Sequence, residues 1–312
     1  MDRSMTDAAI SRATSRPRAA ARSLSGAAFP WLLPTVLVLG LFYLYPILDA
    51  FRLAFTDQTL LGGEAGYSLD KMVQILSDPT LPFALWITLV FTLGSVAGQQ
   101  FLGLFIAIVV IRAEKRRLFG ATLLRTVVMV AWVVPGVAGG IVWQMLFSEA
   151  PFGAINGLLR LAGIAPVAWL SDPHMAIVSV IIANVWRGTA FSMVVMYAAL
   201  KSIDPVLYEA AAVDGAGPTQ RLWYVTLPQL RVAILVNMVI ITIQTLNTFD
   251  AILSLTGGGP GRATEVLSLF TYNLVFRNFD LAGGSVLSVI MLVISLCLAV
   301  VYARFLPQET AE

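Results

Sequence analysis

The stretch Glu209-Ala210-Ala211-Ala212-Val213-Asp214-Gly215 is followed, twelve residues after its glycine, by Leu227-Pro228. It lies in a polar segment of about 25 residues between two long apolar runs, where a turn of a few residues would connect them. Such a segment is either an interfacial connector or an ordered element that contacts another protein. Its local signals and its surroundings favour the second interpretation.

The residues around this stretch predict two short helices. Asp204-Pro205 supplies a carboxylate N-cap and then proline at the first helical position, which favours a helix over 205–213. Gly215 suits the left-handed conformation that ends a helix. Gly217-Pro218 starts a second short helix, and Pro228 is expected to break it just before the next apolar run. A rigid helix–turn–helix of this kind is suited to dock on a partner protein.

Composition places the chain in a membrane. Hydrophobic residues make up 58% of the 312 residues and charged residues only 12%, so most of the apolar surface must face lipid or other apolar helices. The net charge of +2, with no basic stripe, argues against nucleic acid. A single cysteine, Cys297, and a single histidine, His174, exclude an intramolecular disulfide, a cysteine metal site and a histidine cluster. We predict an all-α integral membrane protein with no metal site.

Hydropathy divides the chain into six apolar runs that are long enough to cross a bilayer as helices. The runs lie near residues 30–53, 84–111, 122–147, 174–200, 231–256 and 282–306. Most basic residues fall on one side of them: Arg3, Arg12, Arg16, Arg18, Arg22, Arg112, Lys115, Arg116, Arg117, Arg125, Lys201, Arg221, Arg231 and Arg304. The opposite side has Arg52, Lys71, Arg160, Arg262 and Arg277. The positive-inside bias predicts that both termini and the Glu209 segment are cytoplasmic.

The remaining segments are expected to be short or unstructured. Residues 1–28 are rich in Arg, Ala and Ser and predict a disordered cytoplasmic tail. Residues 29–308 form the six-helix membrane domain, which includes the cytoplasmic loop 201–230. On the other side we expect a short helix near 69–76, and segment 148–173 should pack along the membrane surface as an amphipathic piece.

The loop resembles the EAA loop of the inner-membrane permeases of binding-protein-dependent ABC importers. The matching pattern is Glu209-Ala210-Ala211-x-x-Asp214-Gly215, nine residues, and then Val225-x-Leu227-Pro228, with Val225 where the family more often has isoleucine. The resemblance implies a type I ABC importer permease fold whose loop docks on an ATP-binding subunit. Glu209 would make polar contacts with that subunit, and Gly215 would set the angle between the two helices. The implied docking residues are Glu209, Ala210, Ala211, Asp214, Gly215, Leu227 and Pro228.

A second stretch narrows the resemblance. Residues 249–260 (FDAILSLTGGGP), followed by Thr264-Glu265, resemble the first permease subunit of the carbohydrate-uptake branch, of maltose or glycerol-phosphate type. Three glycines and a proline exclude a helix at the end of this stretch. A phosphate-binding cradle is disfavoured because no Gly-Lys-Ser/Thr follows. A flexible hairpin, an extracellular gate and a receptor-contact loop remain.

Polar residues inside the apolar runs are candidates for a substrate path, because polar groups in lipid are costly. In the fifth run Gln244, Asn247 and Thr248 share one helical face, and Asp250 lies beyond them near the outer mouth. Amides and hydroxyls suit sugar hydroxyl groups, although interhelical hydrogen bonds within the protein are the alternative role.

The fourth run contributes Asn184 and Arg187, which form a polar interruption. Arg187 is the only base deep in an apolar run, and it needs a partner, either Asp250 or a substrate hydroxyl. A simple ion pair that locks two helices is the alternative.

The third run contributes an aromatic candidate and a kink. Trp132 is suited to stack on a sugar ring. Pro135 with Gly136, Gly139 and Gly140 predicts a bend with close helix contacts, either a hinge or static packing.

Together these features predict a permease subunit of an ATP-driven importer in the bacterial cytoplasmic membrane. The resemblance implies a homologous second permease, two ATP-binding cassette subunits and an extracytoplasmic solute-binding protein as partners, with membrane lipid around them. The chain has no Gly-x-x-x-x-Gly-Lys-Ser/Thr motif, so we expect no catalytic residue and no cofactor of its own, with ATP and Mg on the partner ATPase. A sugar (a mono-, di- or oligosaccharide) is the expected cargo. The alternatives are a non-sugar polar solute such as glycerol phosphate and a secondary transporter, which would need repeat symmetry or a buried relay.

Overall fold

A computed structural model describes residues 31–62 and 66–305, and all regular secondary structure there is helical apart from one isolated bridge. The predicted tail, residues 1–28, lies outside the described residues. The chain divides at Arg52 into two units, which are described separately.

Thirteen helices are found in the described ranges. They are α1 Trp31–Leu53, α2 Asp70–Leu76, α3 Thr80–Lys115, α4 Gly120–Val133, α5 Gly136–Leu146, α6 Ala154–Leu161, α7 Pro173–Lys201, α8 Pro205–Val213, α9 Pro218–Gln229, α10 Arg231–Leu246, α11 Asp250–Leu255, α12 Leu267–Phe276 and α13 Leu281–Phe305.

The first unit consists of α1 up to Arg52. Its 23-residue helix is apolar and long enough to cross a membrane, and it contains a π-helical turn over Gly40–Leu44. Asp49 and Arg52 pair one turn apart, at 2.8 Å. The first predicted span, 30–53, is therefore helical over all of its described residues and ends at Leu53 as expected.

In the second unit α3, α7 and α13 are each long and apolar enough to span a membrane, as the sequence predicts. Two pairs of helices pass the same test only when taken together. Helices α4 and α5 are bent by 108° at their junction, and α9 and α10 by 66°. By length and composition there are up to six spans if each pair is counted as one, although α9 lies in the loop 201–230 and only α10 falls within the predicted fifth span.

The bend between α4 and α5 confirms the predicted kink at Pro135. Val134 and Pro135 are extended, with ψ of 124° and 142°. The glycines that follow allow α5 to touch α11 directly: a Cβ on Gly136 would overlap the Asp250 carboxylate, and one on Gly140 would lie 2.6 Å from the Ala251 carbonyl oxygen. The kink thus places the backbone of α5 against the start of α11.

The prediction of one continuous fifth span over 231–256 is wrong. Helix α10 ends at Leu246, and a short separate helix, α11, starts at Asp250. At the break, Asn247 Nδ2 donates to the Ile243 carbonyl at 2.8 Å and Thr248 Oγ1 donates to the Gln244 carbonyl at 3.0 Å. Asn and Thr side chains that bond carbonyls of their own helix compete with the backbone hydrogen bonds that would extend it. The apolar run therefore continues beyond the helix itself.

The core of the second unit is built on the contact between α3 and α7. Gly103 of α3 lies so close to α7 that a Cβ would be 2.8 Å from the Met193 nitrogen. Nearby, Asn237 of α10 donates through Nδ2 to Gln100 Oε1 at 2.7 Å and to Ser192 Oγ at 3.0 Å. This buried amide joins α3, α7 and α10 by hydrogen bonds that lipid cannot supply.

The segments between spans contain the predicted small helix, α2, and a second one, α6, within the segment 148–173. Asn156 of α6 is fully buried, and its Oδ1 accepts from the Val167 N–H and from Trp169 Nε1. Glu149 accepts from the Ser171 hydroxyl at 2.8 Å and from the N–H groups of Leu170 and Ser171. The Ser171 hydroxyl is the largest cause that lowers the Glu149 pKa below its ordinary value; burial, the next largest, opposes it, and the Leu170 and Ser171 N–H groups lower the pKa further. Local hydrogen bonds thus order segment 148–173.

Candidate functional site

The loop between α7 and α10 has the predicted first helix. Asp204 caps α8 by accepting from the Val206 N–H at 2.9 Å, and Pro205 occupies the first turn. Gly215 has φ of +76°, the left-handed conformation expected at this position. These features follow from local capping chemistry and confirm the sequence prediction.

The second helix differs from the prediction. Helix α9 continues past Pro228 to Gln229, and the bend follows at Leu230. Its middle, Leu222–Thr226, is π-helical. A π turn widens the helix just before the proline, which relieves the clash and the lost hydrogen bond that proline causes in a regular α-helix. The proline is therefore accommodated, and the helix does not break there.

The two loop helices hold each other through their inner faces. Tyr208 Oη and Thr226 Oγ1 are 3.0 Å apart, and Arg221 Nε donates to the Ala216 carbonyl at 2.8 Å. These two contacts join α8 and α9 into one ordered unit.

The outer face of the loop is exposed and contains most of the predicted docking residues. Glu209, Ala210, Asp214, Gly215 and Pro228 are exposed, whereas Ala211 and Leu227 are half-buried. Apolar side chains lie exposed on the same loop: Val213 is 88% exposed, Tyr224 81% and Trp223 62%. We call this set, from Glu209 to Gly215 with Trp223 and Tyr224, the loop patch. Several large apolar side chains exposed on one polar loop are typical of a protein contact.

A cavity of about 560 Å³ lies beside the broken end of α10. All seven residues predicted for a substrate path line it: Trp132, Asn184, Arg187, Gln244, Asn247, Thr248 and Asp250. The other lining residues are Gln99, Gly188, Thr245 and Phe249. Side chains from α3, α4, α7, α10 and α11 therefore meet at one place, although they are far apart in the sequence.

The one ion pair at this cavity joins Arg187 to Asp250. Their Nη1 and Oδ1 atoms are 3.8 Å apart, and about a third of each side chain is exposed. The predicted partner of Arg187 is thus confirmed as Asp250. The pair contributes no net charge, so the cavity wall is polar but close to neutral.

Amide groups supply most of the remaining polar surface. Asn184 is 8% exposed, and its Nδ2 has no hydrogen-bond partner among residues 31–62 and 66–305. Gln99 is 3% exposed and donates weakly to the Asn184 carbonyl at 3.4 Å. A Cβ on Gly188 would overlap the Gln99 amide, so this glycine makes room for it. A buried donor without a partner, on a residue that lines the cavity, costs free energy that a polar ligand could recover after a small side-chain movement.

Gln99 was missed by the sequence interpretation. It stands beside Gln100 in an otherwise apolar run, and that pair of amides is the signal that was available. The structure separates the two: Gln100 bonds Asn237 inside the core, whereas Gln99 lines the cavity. Only the packing of α3 on α7 distinguishes these roles.

Aromatic rings flank the cavity. Trp132 is more than half exposed and lies 6.1 Å from Phe191, measured between ring centroids. Phe249 stacks on Tyr272 at 5.1 Å, and Tyr272 contacts Phe276 at 5.0 Å. The rings at Trp132 and Phe249 border the polar groups, an arrangement that suits a ligand with apolar faces and polar edges.

The glycine-rich turn after α11 is ordered by its own hydrogen bonds. Gly257, Gly258 and Gly261 have positive φ. Thr256 and Thr264 hydroxyls lie 2.7 Å apart and close the turn. The turn is therefore ordered, which disfavours its interpretation as a flexible hairpin.

Across the described ranges no group of three His, Cys, Asp or Glu side chains is placed to hold a metal.

The sequence matches a known protein family. Residues 99–309 match the family described as the binding-protein-dependent transport system inner membrane component. The protein belongs to this family. The match covers the loop patch and the cavity, so both lie within the shared permease domain.

The similarity of this permease to its relatives extends over nearly the whole chain. It is 32% identical over 274 residues to the trehalose/maltose transport system permease protein MalF of Thermococcus litoralis, covering 88% of this chain and 91% of that protein. It is 30% identical over 282 residues to the sn-glycerol-3-phosphate transport system permease protein UgpA of Brucella abortus, covering 89% and 94%. Both the resemblance to ABC importer permeases and its carbohydrate branch are confirmed.

A solved structure supports the fold of the permease. A bacterial ABC transporter involved in the import of the acidic polysaccharide alginate has a chain that matches with a TM-score of 0.78 at 22% identity. The match covers 92% of this chain and 97% of that one. The permease thus has the predicted all-α, six-span type I importer fold.

Proposed function

We propose that this permease carries a sugar through the cavity at the break of α10, as one of two permease subunits of an ATP-driven ABC importer. The observation that carries the proposal is the convergence of amide, hydroxyl and aromatic side chains from five helices on one cavity. Sugars offer hydroxyl edges to amides and apolar faces to rings, and the cavity wall supplies both.

The charge of the cavity favours a neutral sugar over a phosphate ester. Arg187 is the only cation that lines it in the described part of the chain, and Asp250 neutralises it at 3.8 Å. A phosphate group needs unneutralised bases or helix N-termini. The similarity to the glycerol-3-phosphate permease keeps that solute as the second candidate, with Arg187 released from Asp250 as its anchor.

The cavity is open on one side, which fits a shared path. Its walls come from a single chain, and a second homologous permease would supply the opposing wall. In that arrangement Trp132, more than half exposed here, would face the shared path.

The loop patch is proposed to dock on an ATP-binding cassette subunit, with two such subunits per importer. Its exposed Val213 and Tyr224 give apolar contact area, and the exposed Glu209 gives a charged contact. This permease would hydrolyse nothing itself and hold no cofactor, with ATP and Mg bound by those subunits.

The proposed topology follows from charge. The basic residues cluster on the side of the loop patch, so both termini and the patch would be cytoplasmic. The glycine-rich turn and α6 would then face outward, where an extracytoplasmic solute-binding protein delivers the cargo. The outer surfaces of the spans, between the cytoplasmic and the outward ends, would contact membrane lipid. We expect no nucleic acid partner.

The substrate class is tested with the cognate solute-binding protein and the reconstituted importer. Binding is measured over a panel of neutral mono-, di- and oligosaccharides, with glycerol phosphate and an amino acid for comparison, and uptake of the bound solutes follows. Binding and ATP-dependent uptake of a neutral sugar are expected. Uptake confined to glycerol phosphate or to amino acids would overturn the sugar assignment and leave the importer assignment standing.

A further inference from the structure

A second cavity, of about 230 Å³, lies between the ends of the long helices and the loop. Its lining residues are Ile108, Ile111, Arg112, Lys115, Leu200, Tyr208, Pro218, Arg221, Leu222 and Thr226. They come from the last turns of α3 and α7 and from the inner faces of α8 and α9. The loop patch lies on the outer faces, so this cavity is separate from the surface proposed for ATPase docking.

The cavity collects three positive charges and no carboxylate. Arg112, Lys115 and Arg221 line it, and none of the three forms an ion pair with an acid in the described ranges. Lys115 lies over the Tyr208 ring at 5.7 Å, and Arg221 uses Nε for the Ala216 carbonyl. Arg112 and Lys115 are exposed and Arg221 is half-buried, so solvent screens part of their mutual repulsion, and a bound anion would reduce the remainder.

The nearest acid on α3 is already committed elsewhere. Glu114 bonds Lys201 Nζ at 2.9 Å and the Tyr197 hydroxyl at 2.9 Å, and it lies 3.9 Å from Arg125. None of these three partners lines the cavity. No acid side chain lines the cavity, so an anion bound there would meet three cations that have no ion-pair partner in the described ranges.

The walls of the cavity indicate where that group comes from. Ile108, Ile111, Leu200 and Leu222 are apolar and half-buried, and they line the same cavity as the basic residues. Basic pockets at the ends of spans, with apolar walls, fit a phospholipid whose phosphate meets arginine and lysine. We propose that this cavity binds the headgroup of one anionic phospholipid, which links the end of α3 to the loop helices.

The proposed lipid site does not depend on which solute is carried. Two matched variants distinguish a bound lipid from a general attraction of basic residues to the membrane. Arg116 and Arg117 follow directly on α3 and are exposed, but they do not line the cavity. The double variant Arg112→Gln/Lys115→Gln and the control Arg116→Gln/Arg117→Gln remove the same charge from the same helix end. Only the first removes it from the cavity.

The test counts lipids retained by the importer, purified with its partner subunits, after exchange into mixed phosphatidylglycerol and phosphatidylcholine, by native mass spectrometry. Wild type and control should keep phosphatidylglycerol in preference, and Arg112→Gln/Lys115→Gln should lose it by roughly tenfold. Arg112→Gln alone should lose an intermediate amount, and it keeps the test usable if the double variant does not assemble.

A parallel arm adds inorganic phosphate and soluble glycerol phosphate in place of the lipid. Weak or absent binding of these anions, with firm retention of phosphatidylglycerol, is expected because the apolar walls contact only the lipid. Equal loss in the control pair, equal retention of the two lipids, or a site filled by inorganic phosphate and not by lipid would each overturn the proposal.

Discussion

The Arg187 guanidinium lies 3.8 Å from the Asp250 carboxylate, across the gap between the middle of α7 and the first residue of α11. The pair spans the cavity wall at the point where the fifth apolar run stops being one helix. The pair therefore has two effects: it neutralises the charge of the proposed substrate path, and it holds the start of α11 against α7.

Removing either partner of this pair should weaken the permease. Arg187→Gln and Asp250→Asn each leave a partly buried charge without its partner, whereas the double variant leaves none. Because a third of each side chain is exposed, we expect a coupling of about 1 kcal/mol, between the values for surface and buried pairs. A double-mutant cycle of unfolding in detergent measures it, and strictly additive losses would contradict the pairing.

The contact between α5 and α11 predicts different outcomes for two neighbouring glycines. Gly136→Ala places a methyl group into the Asp250 carboxylate and should cost about 1–3 kcal/mol by overpacking, with lower uptake. Gly139→Ala is the matched control, because its new methyl group would come no closer than 3.7 Å to a neighbour. Melting temperatures of the two variants provide the measurement, and equal destabilisation by both would refute this packing.

If the loop patch docks on the ATPase, its substitution should stop ATP-driven uptake without preventing insertion of the permease into the membrane. Glu209→Lys should abolish uptake and the coupling of ATP hydrolysis to transport, because it reverses the charge of the exposed contact, while Glu209→Gln should be milder. Gly215→Pro should act in the same way, since φ of +76° is closed to proline. Membrane insertion, measured by the yield of folded permease, should not change. Normal coupled uptake by Glu209→Lys would rule out docking at this residue.

The Glu149 carboxylate predicts an acid-sensitive loop. Its pKa is lowered first by the Ser171 hydroxyl, so the stabilisation is present above the ordinary pKa of a glutamate and is lost as the pH falls through the lowered value. Protonation of Glu149 should therefore lower the thermal stability below about pH 4.3. The variant Glu149→Gln should lack that part of the acid-induced loss. Identical acid profiles for the variant and wild type would show that these hydrogen bonds contribute nothing.

Features set by neighbours along the chain were predictable from the sequence. Helix α8, its Asp204 cap and the positive φ of Gly215 depend on a few adjacent residues, and all were foreseen. Asp250 was one of the two partners predicted for Arg187, beside a substrate hydroxyl, because a base deep in an apolar run needs a partner.

Features set by tertiary contact were not predictable in the same way. Asn247 and Thr248 turn their side chains to their own helix, and the sequence does not say whether such groups bond the backbone, another helix or a ligand. The same ambiguity hid Gln99, which only the packing of α3 on α7 separates from Gln100. The passage of α9 through Pro228 depends on a π turn that no residue in the sequence announces.

The central claim is that the cavity beside the α10 break is the path of the sugar. The chain has one cysteine, Cys297, so Cys297→Ser gives a background for a single reporter at Thr248→Cys. The measurement is the rate at which a small polar thiol reagent labels Cys at position 248 in the assembled importer. It is made during ATP turnover with sugar-loaded binding protein and with the same protein free of sugar. We expect sugar to slow labelling several-fold at this position and to leave the labelling of a reporter at Ser288, outside the cavity, unchanged. Equal labelling at position 248 with and without sugar would contradict it.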